Sequence, residues 1–235
     1  NKFRTVKRLT GLSILCQVRN WELYIKINMA VKRKKQDKEA LKCRIVEAAS
    51  QAFTKQGVRS VHMDDLAISL SISKRTLYEL FNDKEQLLLE VIRLHWQETN
   101  NYMLEIISGT ENVLEIIFAF YKRKLNELGE LNPQFFRDLR KYPEILNALH
   151  EEYRKNDAIA ITWFQKGVEQ GIFRGDINFD IISQAMSMQL DMIIYSDITE
   201  NYPLAQIYSE VTILHMRGIT TIKGQQMVDE FLKDI

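Results

Sequence analysis

Ser73, Lys74, Arg75, Thr76 and Tyr78 stand together in SISKRTLYELF, residues 71–81. Two cations, two short hydroxyl side chains and a phenol at the start of an apolar-spaced segment offer recognition chemistry rather than catalysis. The segment is too short to be a stable helix alone, and its start is too basic for a buried element. A helix start presents unpaired backbone N–H groups, which suit phosphate oxygens. Lys74 and Arg75 add positive charge at that place. Arg75 can give two donors to a guanine edge. Thr76 is short enough to approach a base edge or a thymine methyl, and Tyr78 can reach the nucleic-acid backbone with its hydroxyl. Ser73 is an N-cap candidate, so its hydroxyl is partly spent locally. Lys84, at the start of the next segment, is placed to clamp a phosphate, a contact that fixes register rather than reading sequence. A solvated surface helix with a basic start has the same composition, so the segment alone leaves both readings open.

The elements around it narrow the choice. Asp64–Leu70 reads as a short helix with Leu66, Ala67 and Leu70 facing inward, and Ser71-Ile72 as a tight turn. Helix, short turn and helix across Asp64 to Phe81 make a helix-turn-helix, whose second helix places its start in the major groove of DNA. Leu77, Leu80 and Phe81 form that helix's inward face. From Asp37 another helical pattern runs through Leu41, Ile45, Ala48, Ala49, Ala52 and Phe53 to a stop at Gly57. Asp83 with Gln86 three residues later forms a capping box that opens a longer helix to about Ile107. Upstream, Lys32, Arg33, Lys34 and Lys35 form a basic run that reads as a flexible arm able to touch DNA. Met29 opens a conventional start, so residues 1–28 read as an upstream extension.

Charge supports two jobs in one chain. Residues 1–88 hold 18 Lys/Arg and 9 Asp/Glu, giving +9; residues 89–235 hold 14 and 22, giving −8. The front half suits a polyanion and the back half does not. Leaving out residues 1–28 lowers the front excess to +4, still opposite in sign to the back. Nine glycines and three prolines in 235 residues leave long stretches without breakers, which favours an all-helical protein. Cys16 and Cys43 have no CxxC spacing, so a reducing, cytoplasmic setting is expected. No stretch is apolar enough for a membrane span, since Arg19, Glu22 and Lys26 break Leu12 to Ile27.

Behind the head, apolar spacing predicts helices over about 111–128, 133–139, 143–169, 177–194, 203–221 and 224–232, with Gly171–Asp176 a loop. Ile177 to Ile194 is apolar on too many sides for one narrow stripe, as for a helix buried on two faces. A central helix of a monomer has the same pattern.

Residues 45–92 resemble the DNA-binding head of the TetR family of bacterial transcriptional regulators. The likeness lies in the Ala-Ala pair and Phe53 of the first helix, Gly57, Asp65-Leu66-Ala67, then Ser73, Thr76, Leu77, Tyr78 and Phe81, and finally Lys84, Glu85 and Leu87. Two positions depart from the pattern. Val61-His62 stand where a hydroxyl residue usually begins the second helix, so Ser60 or His62 is left to make that contact. Ser71 stands where glycine is usual; if that position needs positive φ, serine is strained there.

The resemblance implies a three-helix DNA-binding head over residues 37–82, joined by a long helix to a helical ligand-binding and dimerisation domain over 83–235. It implies double-stranded DNA as partner, a homodimer reading a palindrome, and repression relieved by a small inducer. The dimer helices would be the last two long ones, with Met186, Leu190, Ile194, Ile207, Val211 and Leu214 at the interface. Pocket candidates are Trp96, Tyr102, Phe118, Tyr121, Phe136, Tyr153 and Trp163, which suit an apolar or aromatic molecule. A DNA-binding protein without small-molecule control, partner-regulated or architectural, is the alternative.

Catalytic signals are lacking. His62, His95, His150 and His215 have no metal-ligand spacing, and neither a phosphate-cradling glycine loop nor GxSxG occurs. No cofactor and no enzyme activity are expected, and His150 with Glu151 and Glu152 reads as a solvated helix face.

Overall fold

The computed structural model describes residues 11–233, except the side chains at 11–28, 30–31, 34 and 156–158. Eleven helices account for the architecture of these residues, and no strand forms among them. The chain divides into two compact units between Ile45 and Val46.

The first helix, α1, spans Gly11–Gln56 and so begins well before the expected Asp37. Between Gly11 and Gly57 there is neither glycine nor proline, and the Lys/Arg/Gln/Glu-rich run 32–39 consists of good helix formers. Lys32, Arg33 and Lys35 are therefore exposed residues of a helix, not a flexible arm. The side chain of Lys34, and residues 1–10 of the extension, lie outside the described residues.

In the second unit the end of α1 packs with α2 (Met63–Ser69), α3 (Lys74–Leu80) and the start of α4 (Lys84–Gly109). Phe53, Val58, Leu77, Phe81, Leu87 and Leu88 are fully enclosed, with Leu66 and Ala67 close to it. Burying such side chains at about 1.5–3 kcal/mol each holds a head whose own helices are too short to persist alone. Leu80, expected inside, is only half-buried.

Beyond α4 come α5 (Val113–Glu130), α6 (Gln134–Leu139), α7 (Pro143–Glu169), α8 (Phe179–Tyr195), the one-turn α9 (Ile198–Asn201), α10 (Leu204–Ile219) and α11 (Ile222–Leu232). Only α9 was not foreseen. One core cluster joins Val113 and Leu114 of α5, Phe164 of α7, Phe179 of α8, Met216 and Ile219 of α10 and Val228 of α11. Phe173 enters this core from the 171–176 loop and pairs with Thr220 in a single antiparallel bridge. Arg174 and Asp176 of that loop form an exposed ion pair at 2.6 Å. A second cluster gathers Ile193, Leu204 and Ile207, with Phe136 packed against it.

Candidate nucleic-acid interface

The recognition segment is built from its turn outward. Ser71 takes φ 55°, the only positive φ outside glycine among the described residues. That is the left-handed position where glycine is cheap and a Cβ costs about 1–2 kcal/mol. Ser71→Gly should therefore raise the thermal midpoint slightly, by up to about 1 kcal/mol of stability once the greater freedom of glycine in the unfolded chain is offset. Calorimetry of the two proteins checks it, and an unchanged or lower midpoint would refute the strain.

Ser73 then caps α3, its Oγ accepting from the Thr76 N–H at 3.0 Å. The two hydroxyls also bond each other at 2.7 Å, so Thr76 shares its hydroxyl with the cap. Leu77 anchors the helix from inside, which turns Lys74, Arg75 and Tyr78 outward; Tyr78 is 46% exposed. Neither cation is idle. Lys74 Nζ pairs with Asp64 Oδ2 of α2 at 2.5 Å, and Arg75 Nε with Glu79 Oε1 one turn on at 2.7 Å. Both pairs are solvent-exposed and contribute little to stability. Hydrogen bonding to Asp64 raises the Lys74 pKa, so this cation stays charged well into alkaline solution. The Nε edge of Arg75 is taken, while its two terminal nitrogens remain for a guanine edge. Glu79 was readable at its i+4 spacing; Asp64, ten residues from Lys74 across the turn, was not.

His62, the residue just before α2, makes no side-chain cap bond. His62 and Ser60 are both exposed. Asp64 and Asp65 supply negative charge in the first turn instead.

Lys84 is a correction. Its ammonium donates to the carbonyls of Val58 at 2.9 Å, Val61 at 2.8 Å and Arg59 at 3.3 Å. An ammonium has three donors, and all three are committed to the loop that leads into α2. Burial lowers its pKa, and the charge of Asp138 opposes that shift. Lys84 builds the head and is not held out as a phosphate clamp. Lys84→Met should lower stability by about 1–2 kcal/mol, because partly buried carbonyls lose their donor, and should leave the salt dependence of DNA binding unchanged. A salt slope reduced by about one, as for a lost phosphate contact, would restore the clamp.

Residues 45–91 match the family model of bacterial regulatory proteins, tetR family. These residues form a TetR-family DNA-binding head. It is 26% identical over 137 residues to an uncharacterized HTH-type transcriptional regulator, YhgD, of Bacillus subtilis, covering 57% of this chain and 70% of that one. It is 23% identical over 146 residues to the HTH-type transcriptional repressor KstR2 of Mycobacterium tuberculosis, covering 59% and 72%. A solved transcriptional regulator of Saccharomonospora viridis, in complex with choline, superposes with a TM-score of 0.63 at 18% identity, over 78% of this chain and 99% of that one. At that identity the superposition speaks for the fold. The chain is a transcription regulator with a TetR-family DNA-binding head, and its described residues are all-helical.

The expected pocket residues fall in separate places. Phe118 and Tyr121 line a small, partly open cavity of about 10 Å³ between α5, α10 and α11, with Ile117, Met216, Val228 and Phe231; that is room for about one water. Phe118 stacks on Phe231 at 3.7 Å with the rings nearly parallel, and Tyr121 bonds the Ser209 hydroxyl at 2.7 Å. Tyr102 sits under the Arg123 guanidinium and donates to the Ala119 carbonyl at 3.3 Å. Trp163 packs against the main core cluster and Phe136 against the second. Trp96 is half-buried, and Tyr153 is 42% exposed although burial of its phenol raises its pKa. The seven do not gather around one open space.

The expected dimer residues also divide. Leu190, Ile194 and Ile207 are buried within this chain, and Met186 and Val211 are half-buried. Only Leu214, 71% exposed, faces outward. The apolar face that remains open on α8 is Ile181, Met188 and Tyr195, spaced by seven so that they share one side. Sequence spacing showed an apolar helix but not which side its own neighbours would cover.

His150, its side chain 37% exposed, bonds Asp191 at 2.8 Å and so ties α7 to α8, while Glu151 beside it is exposed. Among the described residues no three His, Cys, Asp or Glu could hold a metal ion, and no helix is long and apolar enough to cross a membrane.

Proposed function

We propose that this TetR-family protein is a repressor that binds a palindromic operator as a homodimer and is released by a small apolar or aromatic inducer. One observation carries the DNA half of this reading: α3 buries Leu77 and presents Lys74, Arg75 and Tyr78 to solvent at its start. Two such helices on a two-fold axis would meet successive major grooves about 34 Å apart. The open apolar stripe of Ile181, Met188 and Tyr195 supports the pairing of two copies. Exposed Lys32, Arg33, Lys35, Ser60 and His62 add candidate backbone contacts. Repression is drawn from the name of the KstR2 relative, and small-molecule control from the choline-bound structure of similar fold. Working on promoter DNA places the protein in the cytoplasm, with no catalytic role.

A second reading has its own support. The cavity beside Phe118 and Tyr121 has room for about one water, which suits control by a partner protein without any inducer. Selection of fragments from the source genome, followed by mobility shift and a compound screen on the selected duplex, tests both. A short protected palindrome released by a compound supports the main reading. Release by no compound favours the partner, and indifference to every duplex at low salt removes both.

A further inference from the structure

Helix α4 is the covalent link between head and body, yet a second link runs through α6. Asp138 of α6 is 1% exposed. Its Oδ2 accepts from the backbone N–H of Arg59 at 2.7 Å, in the loop that leads into α2. Its Oδ1 accepts from Gln134 Nε2 at 2.6 Å. Just before α6, the Asn132 N–H donates to the Thr54 carbonyl at 2.8 Å and its Nδ2 to the Lys55 carbonyl at 3.0 Å. These carbonyls belong to the last turn of α1, which a helix leaves without partners of its own. Gly57, at φ +79°, lets the two approach: a Cβ there would lie 2.9 Å from Gln134 Cγ and 3.1 Å from Asp138 Oδ2.

The other side of this segment holds the body. Arg140 donates to the Ile194 carbonyl and, at 3.2 Å, to the Ser196 carbonyl at the end of α8. Arg137 pairs with Glu200 of α9 at 3.3 Å. One short helix therefore grips the end of α1, the loop before the recognition unit and the end of the helix that carries the open apolar stripe.

We propose that α6 is a strut that fixes the angle of the DNA-binding head on the body, with Asp138 its positioning residue. A single helix such as α4 lets the head pivot about its own start; a buried carboxylate gripping the Arg59 amide removes that freedom. Breaking the grip leaves a buried polar group without its partner, so the link acts as a two-state contact rather than a soft spring. In a dimer the angle of each head sets the separation of the two recognition helices. Asp138 thus selects which half-site spacing is bound. This inference rests on the palindrome-and-homodimer reading above.

The test uses full-length wild type and Asp138→Asn, in which one acceptor oxygen becomes a donor. Each is titrated against the duplex that wild type selects, against copies with the half-sites moved by one to three base pairs, and against an isolated half-site. Wild type should prefer its own spacing, and Asp138→Asn should lose at least about tenfold of that preference while half-site affinity changes less than about twofold. A folded Asp138→Asn protein that keeps the spacing preference overturns the strut. So does equal loss on half-site and palindrome, which is what a merely structural role in the head gives. If Asp138→Asn does not fold, Asn132→Ala removes the side-chain part of the grip on α1, the bond to the Lys55 carbonyl, and is read by the same criteria. A wild type that selects no duplex overturns the operator reading, and the strut with it; a wild type that selects a palindrome confines any failure to Asp138.

Discussion

A Met188→Asp, Leu214→Asp double variant will run as a monomer and lose about 10²–10⁴-fold in affinity for the palindrome, the usual margin between two linked contacts and one. Met188 is 67% exposed and Leu214 71%, so neither supports the fold of its own chain. Their neighbours Gln189 and His215 meet at 3.3 Å, which brings the two positions onto adjoining parts of α8 and α10. A carboxylate carried into a closed apolar contact is expensive, whereas the same change on an open surface is usually within about 0.5 kcal/mol. Light scattering after size exclusion should show two copies for wild type and one for the variant, with equal thermal midpoints. Binding to an isolated half-site should be retained. A variant that remains dimeric would place the contact elsewhere.

Arg75→Ala comes next in size. The side chain of Arg75 is 87% exposed and its partner Glu79 60%, so the free protein loses almost nothing. On DNA a bidentate base contact is worth about 1–3 kcal/mol of discrimination. Affinity should fall about ten- to hundredfold on the selected operator, and the loss should vanish when one particular guanine pair in each half-site is replaced. Lys74→Ala is the control, because a point charge on the phosphates weakens all sequences alike and reduces the salt slope by about one. A panel of single-base operator variants measured at several salt concentrations separates the two. Equal loss across the whole panel for Arg75→Ala would move it from base reading to backbone contact.

Local rules served the head well. Ser73 caps α3 and Asp83 caps α4 as their types demand, with Gln86 reaching back to the Asn82 N–H at 2.7 Å. The strain at Ser71 was foreseeable because the need for a left-handed residue belongs to the turn itself. Contacts between distant segments were not foreseeable. Lys84 looked like a phosphate ligand until its carbonyl partners, 23 to 26 residues upstream, were in view. Leu190 and Leu214 are alike as letters, yet one is buried by its own chain and the other is open. The aromatic residues of the body scattered for the same reason: periodicity reports that a side faces inward, not which neighbour fills it. Helix α1 overran its expected start because the reading stopped at apolar periodicity, whereas helix propensity continues through charged residues.

The paired rings of Phe118 and Phe231 bear on timing. Any molecule larger than a water that enters the space they line has to push lining side chains such as these rings aside, on the way in and on the way out. The rate of capture would then follow how often the rings open rather than how often molecules collide. Departure would be slowed by the same shutter, so a brief pulse of an effector could outlast its own removal and leave the protein altered for some time afterwards.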